Sequence, residues 1–468
     1  MARQHQFRGR FYDRSGTASV KRCIAWLLIL CALSAWGELP DDARKRLDET
    51  IAAARTAFET PSVSVAVTKS GNIVYTRAFG DADTNTRYAI GSISKQFTVA
   101  ALLLAQEQGK LSLADPVSRY FPEFTRASEI TIKQLLSHTS GYEDYAPQDY
   151  MIPEWAKATS PEALLEVWAK KPLNFDPGTR WQYSNTNYVL AGKIFEKASG
   201  QQLLPYLKQR IFEPLGMTSA DDCTVKTAAD ATAYTRFALG PARPALREGP
   251  GWYFAAGDLC MTASDLARWD AAFIGKRILS AKSYQEFVRE VKLKSGAATH
   301  YALGLGLGEM AGTPMLSHSG EVSGFLAMNS VFPKKQLGIA VLSNEDNVGL
   351  IGTVTRQIAS ELLEPQSKKT QRNAEVRAIL EDLQHGRIDR ERFTAHANAY
   401  FVSPAIEDYR ASLAPLGKLV ALTLGSEQSR GGMTHLTYRA HFERNTVALN
   451  IYVTPGGKYE QFLVEEVF

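Results

Sequence analysis

Two stretches with a period of two residues, set near opposite ends of a long helical and loop-rich middle, constrain this chain more than any other feature. In the first, Val63, Val65 and Val67 alternate with smaller or polar residues, Ser70-Gly71-Asn72 makes a turn, and Ile73, Tyr75 and Arg77 carry a returning strand. In the second, Leu303 to Leu307, Phe325 to Phe332 and Leu337 to Leu342 read as three strands, the last two joined by the turn Pro333-Lys334-Lys335. Isolated strands leave their backbone groups unpaired. The two ends of this region are therefore expected to meet in a single sheet, with the intervening helices packed on it.

Helical spacing fills the remainder. Leu47, Ile51, Ala54 and Phe58 recur as one face of a helix over 41–58, and Phe97, Ala101, Leu104 and Ala105 form an apolar face that opens at or just before Ser92 and stops near Gly109. From about Asp115 to Gly275, Pro and Gly punctuate helices and loops, and Val354 to Leu363 reads as a closing helix. The polar stretch Gln366 to Thr370 is the natural boundary. Beyond it, helical patterns over 374–383, 390–400 and 405–413 precede strand patterns over 419–424, 434–442, 447–453 and 459–464, which predicts a small α+β domain over 366–468.

A length of 468 residues exceeds what one hydrophobic core usually serves. The formal charge of +4 comes from interspersed residues of both signs, without the basic runs of a phosphate-backbone binder, so nucleic acid is not an expected partner. At the start, Lys21 and Arg22 precede an apolar run over 23–35, followed by Trp36, Gly37 and a polar segment from Glu38. That layout predicts a signal peptide over 1–37 and export to the periplasm or medium, because the run is shorter than the roughly 20 residues of a membrane span. No stable anchor is expected after processing. Cys23 and Cys31 would leave with the signal, which puts Cys223 and Cys260 in an oxidising compartment. A disulfide is permitted there, and so are two small buried thiols.

Three short patterns carry chemistry. Ser92-Ile93-Ser94-Lys95 is the one Ser-x-x-Lys in the chain. Residues three apart share a helix face, so Lys95 can direct a desolvated amine at the Ser92 hydroxyl and serve as its base. Tyr183-Ser184-Asn185 is the one Tyr-x-Asn. A phenol held near a cation loses its proton more readily, which makes Tyr183 a candidate base for the serine and acid for the leaving group, while Asn185 would orient substrate and Lys95. His318-Ser319-Gly320 leads through Glu321 toward the strand at Phe325, and a glycine there allows close approach of substrate or backbone. Taken singly, each pattern also fits a blander origin: an N-cap serine before a solvated lysine, a turn with a core tyrosine, a hairpin turn with a surface histidine. Glu143-Asp144 and Lys292 to Lys294 read as solvated surface.

Together and in this order, the three patterns resemble the signatures of the serine β-lactamase and penicillin-binding-protein superfamily, class C branch, which includes class C β-lactamases, D-alanyl-D-alanine carboxypeptidases, D-aminopeptidases and related esterases. Leu135 to Tyr142, Tyr188 to Gly192, Glu213 to Met217, Ala256 to Leu259 and Ser264 to Ala267 resemble the same branch, so that the likeness spans roughly 45–362. It implies a β-lactamase-like α+β domain over 38–365: about five antiparallel strands with helices on both faces, beside a helical lobe, with the site in the crevice between them. It further implies a serine hydrolase of amides or esters (D-peptides, β-lactams or small esters) that acylates Ser92, with the amides of Ser92 and Glu321 as oxyanion hole and Asn185, His318, Ser319, Gly320 and Glu321 toward the substrate. The implied partner is a small molecule or short peptide, and neither cofactor nor metal is implied. His138, in a recurrent loop of the family, is expected to hold that loop by hydrogen bonds. A penicillin-sensing or acyl-trapping protein that deacylates negligibly is the alternative reading.

One position departs from the pattern. Where β-lactamases usually have Lys-Thr-Gly, this chain has His-Ser-Gly. A permanent cation is thereby replaced by a group largely neutral at pH 7, which weakens recognition of a substrate carboxylate.

Overall fold

The computed structural model describes residues 38–148, 150–346, 348–363 and 366–466. The apolar run over 23–35 and the expected cleavage site before Glu38 lie outside the described residues. Helix α1 (Asp41–Ala57) leads into β1 (Ser62–Lys69) and β2 (Asn72–Gly80), and after a short strand at Tyr88–Ala89 a 3₁₀ turn, Gly91–Ile93, opens α2 (Ser94–Glu107). The middle contains α3 (Asn185–Ser199), the short strand β3 (Leu259–Met261) and α4 (Ala263–Ile274) among shorter helices and loops. The chain then returns through β4 (Gly306–Met310), β5 (Thr313–Val322), β6 (Phe325–Phe332) and β7 (Leu337–Ser343), and α5 (Val348–Leu363) follows.

The two strand regions do form one antiparallel sheet, in the order β2-β1-β7-β6-β5-β4. The join is the β1–β7 pair, with Val65 opposite Val341 and Val67 opposite Ile339. On one face, Val63, Val65, Val67, Ile339 and Val341 bury against Leu47 and Ile51 of α1 and Leu350, Val354 and Ile358 of α5. The intervening Ser64, Ala66 and Thr68 are also buried. They are small because α4 lies close on that face: a Cβ at Gly338 would stand 2.6 Å from the Asp270 Cβ and 2.7 Å from the Thr68 methyl. A larger side chain would push helix and sheet apart and forfeit dispersion contacts along both.

Two local expectations are corrected. The sheet has six strands where about five were expected; the added strand is β5, which carries His318-Ser319-Gly320 itself instead of merely leading toward Phe325. Its Ser, Gly and Pro residues mask a period-two burial pattern that is clear in three dimensions. The Leu303 to Leu307 alternation is not a strand throughout, because Gly304 turns the chain left-handed (φ 68°) where a Cβ would meet the Tyr188 hydroxyl at 3.0 Å, and β4 begins at Gly306. The polar stretch Gln366 to Thr370, read as the boundary, is the first part of helix α6 (Gln366–Gln384); it contains no Gly or Pro to stop one.

After α6 come α7 (Ala395–Tyr400) and α8 (Ser403–Leu413), then a meander of β8 (Leu419–Arg430), β9 (Met433–Phe442), β10 (Thr446–Val453) and β11 (Tyr459–Glu466). Leu380, Leu383, Phe393, Tyr438, Ile451 and Phe462 belong to a hydrophobic cluster drawn wholly from this part of the chain. Cys223 and Cys260, left open by the sequence, are joined in a disulfide that ties Cys223 to β3.

Candidate active site

The 3₁₀ turn before α2 brings Ser92 and Lys95 onto one face at the end of a helix whose first twelve residues are all buried. The Lys95 ammonium donates to Ser92 Oγ at 2.9 Å, to Asn185 Oδ1 at 2.8 Å and to the Ala256 carbonyl at 2.8 Å, and the side chain has no exposed surface. Burial brings its pKa down to about 7, partly offset by the charge of Asp144. A lysine in that position is an amine for much of its time at neutral pH. The carbonyl it uses is held by tight packing, since Gly192 of α3 lets the turn 254–256 approach so closely that a Cβ would lie 2.4 Å from that of Ala255.

Tyr183 donates its hydroxyl to Ser92 Oγ at 2.7 Å. Here the sequence expectation is corrected. Burial raises the Tyr183 pKa strongly, Asp144 adds to the effect, and only the bond to Ser92 opposes them. Tyr183 is a proton donor at rest, and Lys95 is the group poised to accept.

Asp144 is the functional residue that sequence reasoning missed. Read as solvated surface, it is buried. Its Oδ1 accepts the amide of Asn185, the first residue of α3, at 2.9 Å and that of Ala146 at 3.2 Å, while Oδ2 takes the Asn185 side-chain amide at 3.4 Å. The carboxylate thus meets the positive end of α3 and supplies the counter-charge for Lys95 through Asn185. Burial nonetheless raises its own pKa. One signal was available: a buried lysine demands a carboxylate within reach.

The third pattern closes the site from the sheet side. Gly320 does not line the cleft. A Cβ there would stand 1.9 Å from the Ile90 carbonyl, and one at Gly91 (φ 50°) would stand 2.7 Å from the Glu321 amide nitrogen, so the two glycines let the backbones of Gly320–Glu321 and Ile90–Ser92 lie against each other. Ser92, Tyr183, Asn185, His318, Ser319 and Glu321 do line one cleft, of about 440 Å³. Among the described residues its wall also carries Asp144, Glu248 and Asp346, and no lysine or arginine.

His318 is not the surface residue that a hairpin turn would present: it is 9% exposed, and burial, with Lys95 adding, depresses its pKa to about 4. Its Nε2 lies 2.9 Å from the hydroxyl of Tyr301, a residue the motif reading did not include. His138 accepts the Ser184 amide at Nδ1 (3.2 Å), the loop-holding bond expected of it. Among the described residues no group of His, Cys, Asp and Glu has a metal-binding arrangement, and no helix is long and apolar enough to cross a membrane.

Comparison with known proteins shows the family. Residues 47–360 match the Beta-lactamase family. PbpX of Bacillus subtilis, a penicillin-binding protein by name, is 30% identical over 62% of this chain and 73% of its own length. A D-aminopeptidase of Brucella anthropi is 29% identical over 57% of this chain and 53% of its own. The crystal structure of a D-stereospecific amidohydrolase from Streptomyces sp. superposes with a TM-score of 0.61 at 26% identity, covering 69% of this chain and 98% of that one. The chain belongs to the beta-lactamase family, in the class C branch of the serine β-lactamase and penicillin-binding-protein superfamily, and is a serine hydrolase.

Proposed function

We propose that this protein is an exported hydrolase that acylates Ser92 from an amide or ester whose far end bears no carboxylate. The observation that carries the reading is the convergence on one serine oxygen of a buried lysine, its pKa brought down to about 7, and a neutral phenol. Lys95 Nζ takes the Ser92 proton as Oγ bonds to the substrate carbonyl carbon. The amides of Ser92 and Glu321 stabilise the oxyanion. When the tetrahedral intermediate collapses, the leaving amine or alcohol takes the Tyr183 proton, which is restored from Lys95. Water then attacks the acyl-enzyme, loses its proton to the same pair and frees Ser92.

The substrate side rests on charge. Burial holds His318 neutral, and among the described residues the cleft wall presents carboxylates without a lysine or arginine to meet an anionic substrate. Small neutral or cationic amides and esters fit that field better than penicillins or peptides ending in a free carboxylate. Likeness to a D-aminopeptidase and a D-stereospecific amidohydrolase supports an amide of a D-amino acid. The test is kcat/KM on a panel of D-amino-acid amides, short chromogenic esters and penicillins. Steady turnover with the first two classes ahead is the expected result. A stoichiometric burst without turnover would instead make this an acyl-trapping protein, and a preference for penicillin would overturn the substrate assignment.

A further inference from the structure

His318 stands in the cleft wall, yet both of its ring nitrogens are engaged away from the substrate. Nδ1 lies 2.5 Å from the carbonyl oxygen of Ser319. A carbonyl only accepts, so Nδ1 carries the ring proton. In a neutral imidazole the other nitrogen must then accept, and Nε2 lies 2.9 Å from the Tyr301 hydroxyl, which donates to it. Tyr301 is itself buried, 6% exposed, with its ring 6.0 Å from that of His318 and 5.1 Å from that of His138. Tyr188 gives its own hydroxyl proton to the Leu136 carbonyl at 2.7 Å. Tyr183 packs against the other side of His318 at 6.2 Å, and the charge that bears on the ring is Lys95.

We propose that Tyr301 is a specificity-determining positioning residue: by donating to Nε2 it locks His318 as the neutral, Nδ1-protonated ring, so that His318 offers a substrate neither charge nor donor. The inference deepens the substrate reading above and rests on it, because it names the residue that makes the site indifferent to carboxylates. In Tyr301→Phe, Nε2 would be left buried without a donor. The ring then gains by turning toward the cleft, where water or substrate can satisfy it, and there it protonates more easily.

The test joins spectroscopy to kinetics. In wild-type protein carrying ¹⁵N-histidine, the signal that disappears in His318→Gln should report an Nδ1-protonated neutral ring from pH 8 down to pH 5.5. In Tyr301→Phe that signature should be lost, and the ratio of kcat/KM for a penicillin to that for a neutral short ester should rise at least threefold, more at pH 5.5 than at pH 8. A wild-type ring protonated at Nε2, or cationic at pH 6, overturns the proposal even if the variant does not fold. An unchanged ratio in a folded Tyr301→Phe overturns it as well. Failure of the wild type to hydrolyse any ester would count against the hydrolase reading alone, since the tautomer is measured without substrate.

Discussion

Replacing Asp144 by Asn tests the electrostatics of the site most directly. The substitution keeps an oxygen to accept the amides of Asn185 and Ala146 at 2.9 and 3.2 Å, and alters only the long 3.4 Å contact with the Asn185 side chain, so the loop should retain its shape. What it removes is the counter-charge of Lys95. In the wild type, burial pulls the Lys95 pKa down to about 7 while Asp144 pushes it up. If the amine is the base, kcat/KM rises with pH as Lys95 loses its proton, and the acid limb of the profile should fall near pH 7. An opposite charge one side chain away moves a buried group by about one to three units. Without it, the ammonium loses its stabilisation and the acid limb should move to lower pH by at least about one unit. Activity at pH 6 relative to pH 8 then rises several-fold even if the maximum falls. The assay is the pH dependence of kcat/KM for a chromogenic short-chain ester, between pH 5 and 9, on both proteins. An acid limb that stays in place, or moves upward, would show that Lys95 is not the base or that Asp144 does not act on it.

Ser92→Ala should abolish ester turnover and fluorophosphonate labelling while moving Tm by only a few degrees, since the two hydrogen bonds lost are worth about 1 kcal/mol each at most; persistent labelling would put the nucleophile elsewhere. His318→Lys restores a cation at the third signature and should narrow the gap in kcat/KM between a short ester and a penicillin, whereas equal changes for both would mean that charge there does not set specificity. Because the cluster around Leu380, Tyr438 and Phe462 is drawn only from the carboxy-terminal part, a fragment over 38–365 should be soluble and keep esterase activity, and aggregation would show that the two parts share a core. Amino-terminal sequencing of exported protein should begin close to Glu38; an intact Met1 in the cytoplasm would end the export proposal.

Much of the fold was legible in one dimension because periodicity reports directly on which face of an element is buried. The valines at 63, 65 and 67 and the run over 337–342 identified two strands, and their place at opposite ends of a helical middle made the join that closes the sheet foreseeable. Ser92 and Lys95 were equally legible, because a helix places residues three apart on one face whatever the remainder of the chain does. Strand β5 was harder to see: its Ser and Gly residues serve the approach of one backbone to another, which no hydrophobic pattern records.

Properties that depend on distant groups were decided by tertiary structure alone. The sequence determined that a lysine would face the serine; only burial among α2, α3 and the 254–256 turn brings its pKa down to about 7, and only the same burial keeps Tyr183 protonated, against the reading from neighbouring charge. Asp144 looks like a solvated acid in the chain, and becomes the lysine's counter-charge because α3 begins beside it. His318 was recognisable as a missing cation. That it is also a ring with both nitrogens occupied follows from Tyr301, 17 residues earlier, being brought to 2.9 Å by the turn at Gly304. Local spacing sets which side chains can share a helix face. Desolvation and hydrogen-bond partnership sum over everything packed around a group, and that sum exists only once the chain has folded.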